Sequence, residues 1–210
     1  MSIELQLAAL LCSRVCHDLI NPIGALNNGL EFLEEDDDDP EMRADALRLL
    51  KGSGQQASAK LQFARLAFGA SSSGASDIEL DEARRCIEGI LAEGKAGLTW
   101  DVPSRTLDKD RVKIVMNAVQ VMNEAIPYGG ALHVSLDDRN GAVAVRVSAE
   151  GREARVPGPL RACLDGTAEI EALEPRSVQA YYLSLLVRTH GGTMAVHDEG
   201  GDRLRLDIAV

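Results

Sequence analysis

The sequence predicts an α+β protein: an N-terminal antiparallel helical hairpin, then a C-terminal α/β sandwich with helices on one face of a mostly antiparallel sheet. Three observations carry this. Apolar residues before Gly69 recur at three- and four-residue spacing, the segment GASSSGAS interrupts the chain, and beyond it strand-like alternation takes turns with helical patterns.

The first helix is expected from Ile3 to Leu33, where Leu5, Ala8, Cys12, Val15, Leu19, Ile23, Leu26, Leu30 and Leu33 form one stripe. The acidic run EEDDDDP, Glu34 to Pro40, is a poor helix interior and a good solvated turn. A second helix follows from Glu41 to Phe68, with Met42, Ala46, Leu49, Leu50, Leu61, Ala64 and Phe68 as its apolar positions and Gly52, Ser53 and Gly54 as its weak middle. Two amphipathic helices cannot bury both stripes by themselves. A second copy supplying two more would complete a four-helix bundle, so a homodimer is expected.

The small, polar stretch from Gly69 to Ser76 reads as a linker, dividing the chain into units at 1–70 and 77–210 with 71–76 between them. In the second unit, helical patterns at Asp81 to Ala92, Asp108 to Ile126 and Pro175 to Thr189 alternate with strands in LTWDV, ALHVSL, AVAVRVS, TMAVHD and RLRLDIAV. Turn signals at DDRNG and DEGG join the last four strands into two hairpins.

A net charge of −11 and a pI near 4.8 argue against binding nucleic acid or an acidic membrane surface. No apolar stretch approaches a membrane span, and the N-terminus has neither a basic start nor a small-residue cleavage site, which places the chain in the cytoplasm. Cys12, Cys16, Cys86 and Cys163 form no CxxC pair. Cys12 and Cys16 beside His17 lack a matching ligand cluster, so small core residues are the better reading and no metal is expected.

His17 is the candidate for chemistry. It lies off the apolar stripe of the first helix, with Ser13, Arg14, Asn21 and Gly24 as neighbours at helical spacing on what reads as an open polar face. Neutral imidazole is a nucleophile near pH 7, and the adjacent Asp18 can hold the proton on one ring nitrogen while the other attacks. Successive helix residues point about 100° apart, so that contact requires a favourable Asp18 rotamer. Pro22 lacks the N–H that would bond the Asp18 carbonyl, so the helix should bend or loosen within one turn of His17. Pairing about a turn near Asp37 sets Ser58 to Gln62 level with His17, bringing Lys60 into reach. Arg14 and Lys60 are candidate phosphate contacts, with solvated surface charge as the alternative for each. His133, His190 and His197 have no partner pattern that suggests catalysis.

HDLINP at the head of a helical hairpin that precedes an α+β domain resembles the histidine box of sensor histidine kinases, in which a histidine followed by an acid accepts phosphate. The frame NAVQVMNEAIPYGG is similar to the family's nucleotide-binding helix, with Asn117, Pro127, Gly129 and Gly130 in place. Three departures follow. The position resembling a magnesium ligand is Val121, the position that would read adenine is Ala149, and PRSVQAY stands before HGG where a glycine-rich stretch is expected. Valine cannot coordinate Mg²⁺, alanine offers no hydrogen bond, and bulky side chains replace bare backbone. A kinase scaffold that keeps its phosphoacceptor and lacks its nucleotide site is similar to the ChpT-type histidine phosphotransferases of bacterial phosphorelays.

That resemblance implies a phosphotransferase with a phospho-His17 intermediate, fed by the receiver aspartate of a hybrid histidine kinase and emptied by that of a response regulator. It implies no cofactor on this chain, with Mg²⁺ held by the receiver. Asn21 resembles the position that orients water for dephosphorylation in some kinases. Leu10, Ile20 and Ile23 on the outer face of the first helix are expected to meet the receiver. An ATP-dependent kinase core and a noncatalytic receiver-binding scaffold remain the alternatives. ATP binding would favour the first, and an inert His17→Ala exchange the second.

Overall fold

A computed structural model describes residues 2–34, 39–69, 77–92, 94–139 and 142–210. The acidic turn and the linker fall outside these residues, apart from their flanking positions.

Helices α1 (Ile3–Glu34) and α2 (Pro40–Phe68) pack side by side as the expected hairpin. Asp39 starts α2: its side chain accepts from the backbone N–H of Glu41 at 2.9 Å, while Pro40 takes the first-turn position where a missing N–H does no harm. The Gly52–Gly54 stretch, the weak middle expected from sequence, does not interrupt α2. Ala46, Ser53 and Ala57 of α2 are all buried, and the Leu50 side chain of the same helix lies 2.9 Å from where a Cβ on Gly29 of α1 would stand, so the two helices approach closely. α1 also remains helical through Pro22, where a loosened turn is expected from sequence. The carbonyl of Asp18 that Pro22 cannot serve instead accepts a hydrogen bond from Lys60 Nζ of α2 at 3.0 Å.

The rest of the chain runs β1 (Asp77–Glu79), α3 (Leu80–Leu91), β2 (Ala96–Asp101), β3 (Thr106–Asp108), α4 (Lys109–Glu124), β4 (Gly130–Arg139), β5 (Ala142–Glu150), α5 (Gly158–Leu164), a 3₁₀ turn (Ile170–Ala172), α6 (Val178–Thr189), β6 (Thr193–Asp198) and β7 (Arg203–Ala209). The main sheet has the order β2-β4-β5-β7-β6; only β2 with β4 is parallel, and β1 pairs with β3 in a separate ribbon. Leu132, Val134, Val143, Val145, Val147, Leu204, Leu206 and Ile208 are buried on one face, against α4 and its neighbours. α4 is buried along most of its length from Val112 to Met122, which makes it the central element of the core.

The glycines retained in the kinase-like frame have packing reasons. A Cβ on Gly130 (φ +147°) would lie 2.0 Å from the Glu150 carbonyl oxygen, and one on Gly129 (φ +84°) 2.5 Å from that of Lys95. The start of β4 therefore passes between two neighbouring backbones with no room for side chains.

Candidate functional site

The site begins at His17 on the outer surface of α1, with 55% of its side chain exposed. Nδ1 lies 3.5 Å from Asp18 Oδ1, and no described residue bonds Nε2. With Nδ1 as the protonated nitrogen facing the carboxylate, the lone pair on Nε2 is directed outward. An i,i+1 pair on a helix does not face itself without help, and here Arg14 provides it. Its Nε donates to Asp18 Oδ2 at 2.8 Å, so one carboxylate oxygen is pinned from the preceding turn while the other is left for the histidine.

The position of Arg14 departs from the open polar face read from the sequence. It is 7% exposed, buried where α1 meets the C-terminal unit, and its remaining donors reach Glu124 Oε1 at the end of α4 (2.5 Å) and the Arg176 carbonyl before α6 (3.3 Å). Burial by itself would lower the pKa of the guanidinium, but Glu124 and Asp18 together raise it, so its charge is secure. Three further contacts hold the hairpin to the C-terminal unit. Gln6 Nε2 donates to the Ile170 carbonyl at 3.1 Å, and Phe68 meets the ring of Tyr182 edge-on with centroids 5.7 Å apart. Asn117 is fully buried, its amide donating to the Ala67 carbonyl in the last turn of α2 at 3.3 Å.

Asn117 Oδ1 also accepts from Gln179 Nε2 at 3.1 Å, so the retained asparagine of the nucleotide frame is occupied in joining α2, α4 and α6. Gln179 belongs to the stretch that replaces the expected glycines. Val121 and Ala149 are each 1% exposed among apolar core residues. A cavity of about 150 Å³ lies behind the histidine, its polar lining made by Arg14, Asp18, Lys60, Gln120, Asn123 and Gln179.

Of the residues selected from sequence, the structure thus brings His17, Asp18, Arg14 and Lys60 together, Lys60 acting on the backbone beside the histidine. Asn21 is exposed one turn further along α1. Glu124 was not visible from sequence: it lies inside the NAVQVMNEAIPYGG frame but at none of the positions that the frame singles out, and only the docking of the two units reveals it. Among the described residues no group of three His, Cys, Asp or Glu side chains is arranged to hold a metal ion. Among the described residues no helix is long and apolar enough to cross a membrane.

A helical hairpin with an outward histidine, joined to an α/β sandwich, defines a phosphotransfer class of protein. The chain belongs to the histidine phosphotransferases: residues 80–202 match the family described as the histidine phosphotransferase C-terminal domain. It is 40% identical, over 94% of its length and 93% of the relative's, to the protein phosphotransferase ChpT of Brucella abortus (strain 2308). A solved bacterial phosphotransferase structure superposes with a TM-score of 0.86 at 38% identity, covering 97% of this chain and 96% of that one. The protein is therefore an enzyme of phosphoryl transfer through histidine, with the α+β fold expected from its sequence.

Proposed function

We propose that His17 is the phosphoacceptor of a phosphorelay, receiving the phosphoryl group from the receiver aspartate of a hybrid histidine kinase and passing it to that of a response regulator. The observation that carries this reading is the histidine itself: exposed, bonded to Asp18 through Nδ1 and open at Nε2. The Nε2 lone pair forms the P–N bond as the P–O bond to the donor aspartate breaks, and the electron pair of that bond leaves with the carboxylate. The proton stays on Nδ1, and the positive charge that develops on the ring faces Asp18. Such transfer requires positioning and electrostatic stabilisation more than covalent work by the protein. Mg²⁺ belongs to the receiver in this scheme, and the chain itself uses no cofactor. The buried Val121 and Ala149 and the Asn117–Gln179 bond support a C-terminal unit that does not feed His17 with ATP.

The same reading makes the protein a cytoplasmic homodimer, with residues 1–70 serving dimerisation and phosphotransfer and 77–210 forming a degenerate nucleotide-fold unit. Support for the dimer comes from an unpartnered stripe on the hairpin. Leu5, Ile23 and Leu30 on α1 and Leu47 and Leu61 on α2 are exposed at heptad-related spacings, and so are Cys12 and Cys16, which are surface residues of the hairpin and not the core residues expected from sequence. Ile20 is exposed just beside His17 and is the apolar contact offered to a receiver, whereas Leu10 is half-buried and Ile23 falls on the dimer stripe. Arg14 serves as a positioning residue and Lys60 as support for the helix backbone. Asn21 stands where it can orient a water for hydrolysis of the phosphohistidine.

The test incubates the protein with a receiver domain phosphorylated on aspartate and follows the label. Acid-labile, alkali-stable label on the wild-type protein and none on His17→Ala is expected. Label that persists on His17→Ala would overturn the assignment.

A further inference from the structure

We propose that Glu124, contributed by the C-terminal unit, is a positioning residue for transfer at His17, acting through Arg14 on Asp18 to set which ring nitrogen holds the proton; this rests on the reading of His17 as the phosphoacceptor. The contacts form one line across the two units. Gln120 Nε2 donates to Glu124 Oε1 at 3.3 Å, Arg14 meets that same oxygen at 2.5 Å and Asp18 Oδ2 at 2.8 Å, and Asp18 Oδ1 faces His17 Nδ1 at 3.5 Å.

Two physical arguments give Glu124 a role beyond packing. The first is geometric. Asp18 can face its own neighbour only in a chosen rotamer, and Arg14 selects that rotamer only if its own long side chain is fixed. A free arginine carries about 2 kcal/mol of rotamer entropy. Glu124 and the Arg176 carbonyl, both from outside the hairpin, remove that freedom.

The second is charge. A guanidinium paired with Asp18 alone would neutralise the carboxylate and weaken its hold on the ring proton. Shared between two carboxylates, the group carries a net charge of −1, so Asp18 keeps its strength as an acceptor while the ring becomes cationic. The charged groups around the histidine are then Asp18 and Arg14 from α1, Lys60 from α2 and Glu124 from α4, with Lys60 directed at backbone. The C-terminal unit thus contributes to the chemistry without a nucleotide: it supplies the acid that completes the site.

The test uses the full chain labelled with nitrogen-15 in histidine, read by NMR at a pH above the imidazole range, together with transfer rates from a phosphorylated receiver. Wild-type His17 should hold its proton chiefly on Nδ1, against the Nε2 preference of a free histidine. In Glu124→Gln the Nδ1–H population falls and transfer slows roughly tenfold, the effect of about 1.4 kcal/mol of lost transition-state stabilisation. Glu124→Asp restores both in part. Gln120→Leu, which keeps every charge but releases Glu124, moves both readouts the same way by less, and it decides the matter should Glu124→Gln not fold. Wild-type tautomer populations and rates in the folded variants would overturn the proposal while leaving His17 as acceptor. Loss of label from His17 in the wild-type protein would instead overturn the reading beneath it.

Discussion

Replacing Arg14 by methionine removes a guanidinium that no solvent can substitute. Its side chain is 8% exposed and satisfies Asp18, Glu124 and the Arg176 carbonyl at once, whereas the two carboxylates it holds are 33% and 24% exposed. Removing one partner of a buried ionic group destabilises by about 3–5 kcal/mol, because the remaining charges lose their counterion. The carboxylates here retain partial access to water and recover some hydration, which brings the expected loss to about 3 kcal/mol, near the lower end of that range. At roughly 2–4 °C per kcal/mol for a domain of this size, the melting midpoint should fall by about 6–12 °C. Urea unfolding of wild type and variant measures the free-energy loss, at one fixed protein concentration because the stability of the proposed dimer would depend on it. Arg14→Lys should recover less than half, because an ammonium cannot span three acceptors lying in different directions. A loss below about 1 kcal/mol, the level of an exposed ion pair, would mean that Arg14 is not a buried counterion shared by the two carboxylates.

Three more predictions follow from particular contacts. Lys60→Met leaves the Asp18 carbonyl without a partner and should destabilise by about 1–3 kcal/mol, with Pro22→Ala, which restores the helix N–H, recovering most of it in the double variant; urea unfolding of the four proteins gives the cycle. Val121→Asn returns the side chain that resembles a magnesium ligand but buries an amide among apolar residues, so it should destabilise by about 1–3 kcal/mol and yield no ATP binding in a calorimetric titration. The proposed dimer should sediment as a monomer once Leu30→Glu and Leu61→Glu are combined, with the helical content in circular dichroism unchanged.

Long-period patterns were the most legible part of the fold. The three- and four-residue spacing places α1 and α2 within a residue or so of their observed ends, and alternation in AVAVRVS and RLRLDIAV marks β5 and β7, whose inner residues Val143, Val145, Val147, Leu204, Leu206 and Ile208 are buried. β1 and β3 were not legible, since three residues show no period and each exists only by pairing with the other across 29 positions of chain. α5 was hidden as well. Its seven residues GPLRACL begin with glycine and proline, which read as a turn.

The site divides in the same way. His17, Asp18 and the level of Lys60 follow from local helix geometry, and the missing N–H of Pro22 points to the carbonyl that Lys60 serves. The burial of Arg14 and its bond to Glu124 span 110 positions of sequence and arise only when α1 docks on the ends of α4 and α6. A helical wheel drawn for α1 alone places that arginine in solvent. Asn117 shows the converse, a residue that fits a nucleotide-binding frame in the sequence and whose hydrogen bonds here hold helices together.

The phosphoryl group is proposed to pass through Nε2 of His17. Nitrogen-15 NMR of the histidine-labelled protein, taken after transfer from a phosphorylated receiver, reads the modified atom directly. Phosphorus on Nε2 of His17, with the proton on Nδ1, is the expected result. Phosphorus on Nδ1, on another residue, or arriving from ATP without a receiver would contradict it.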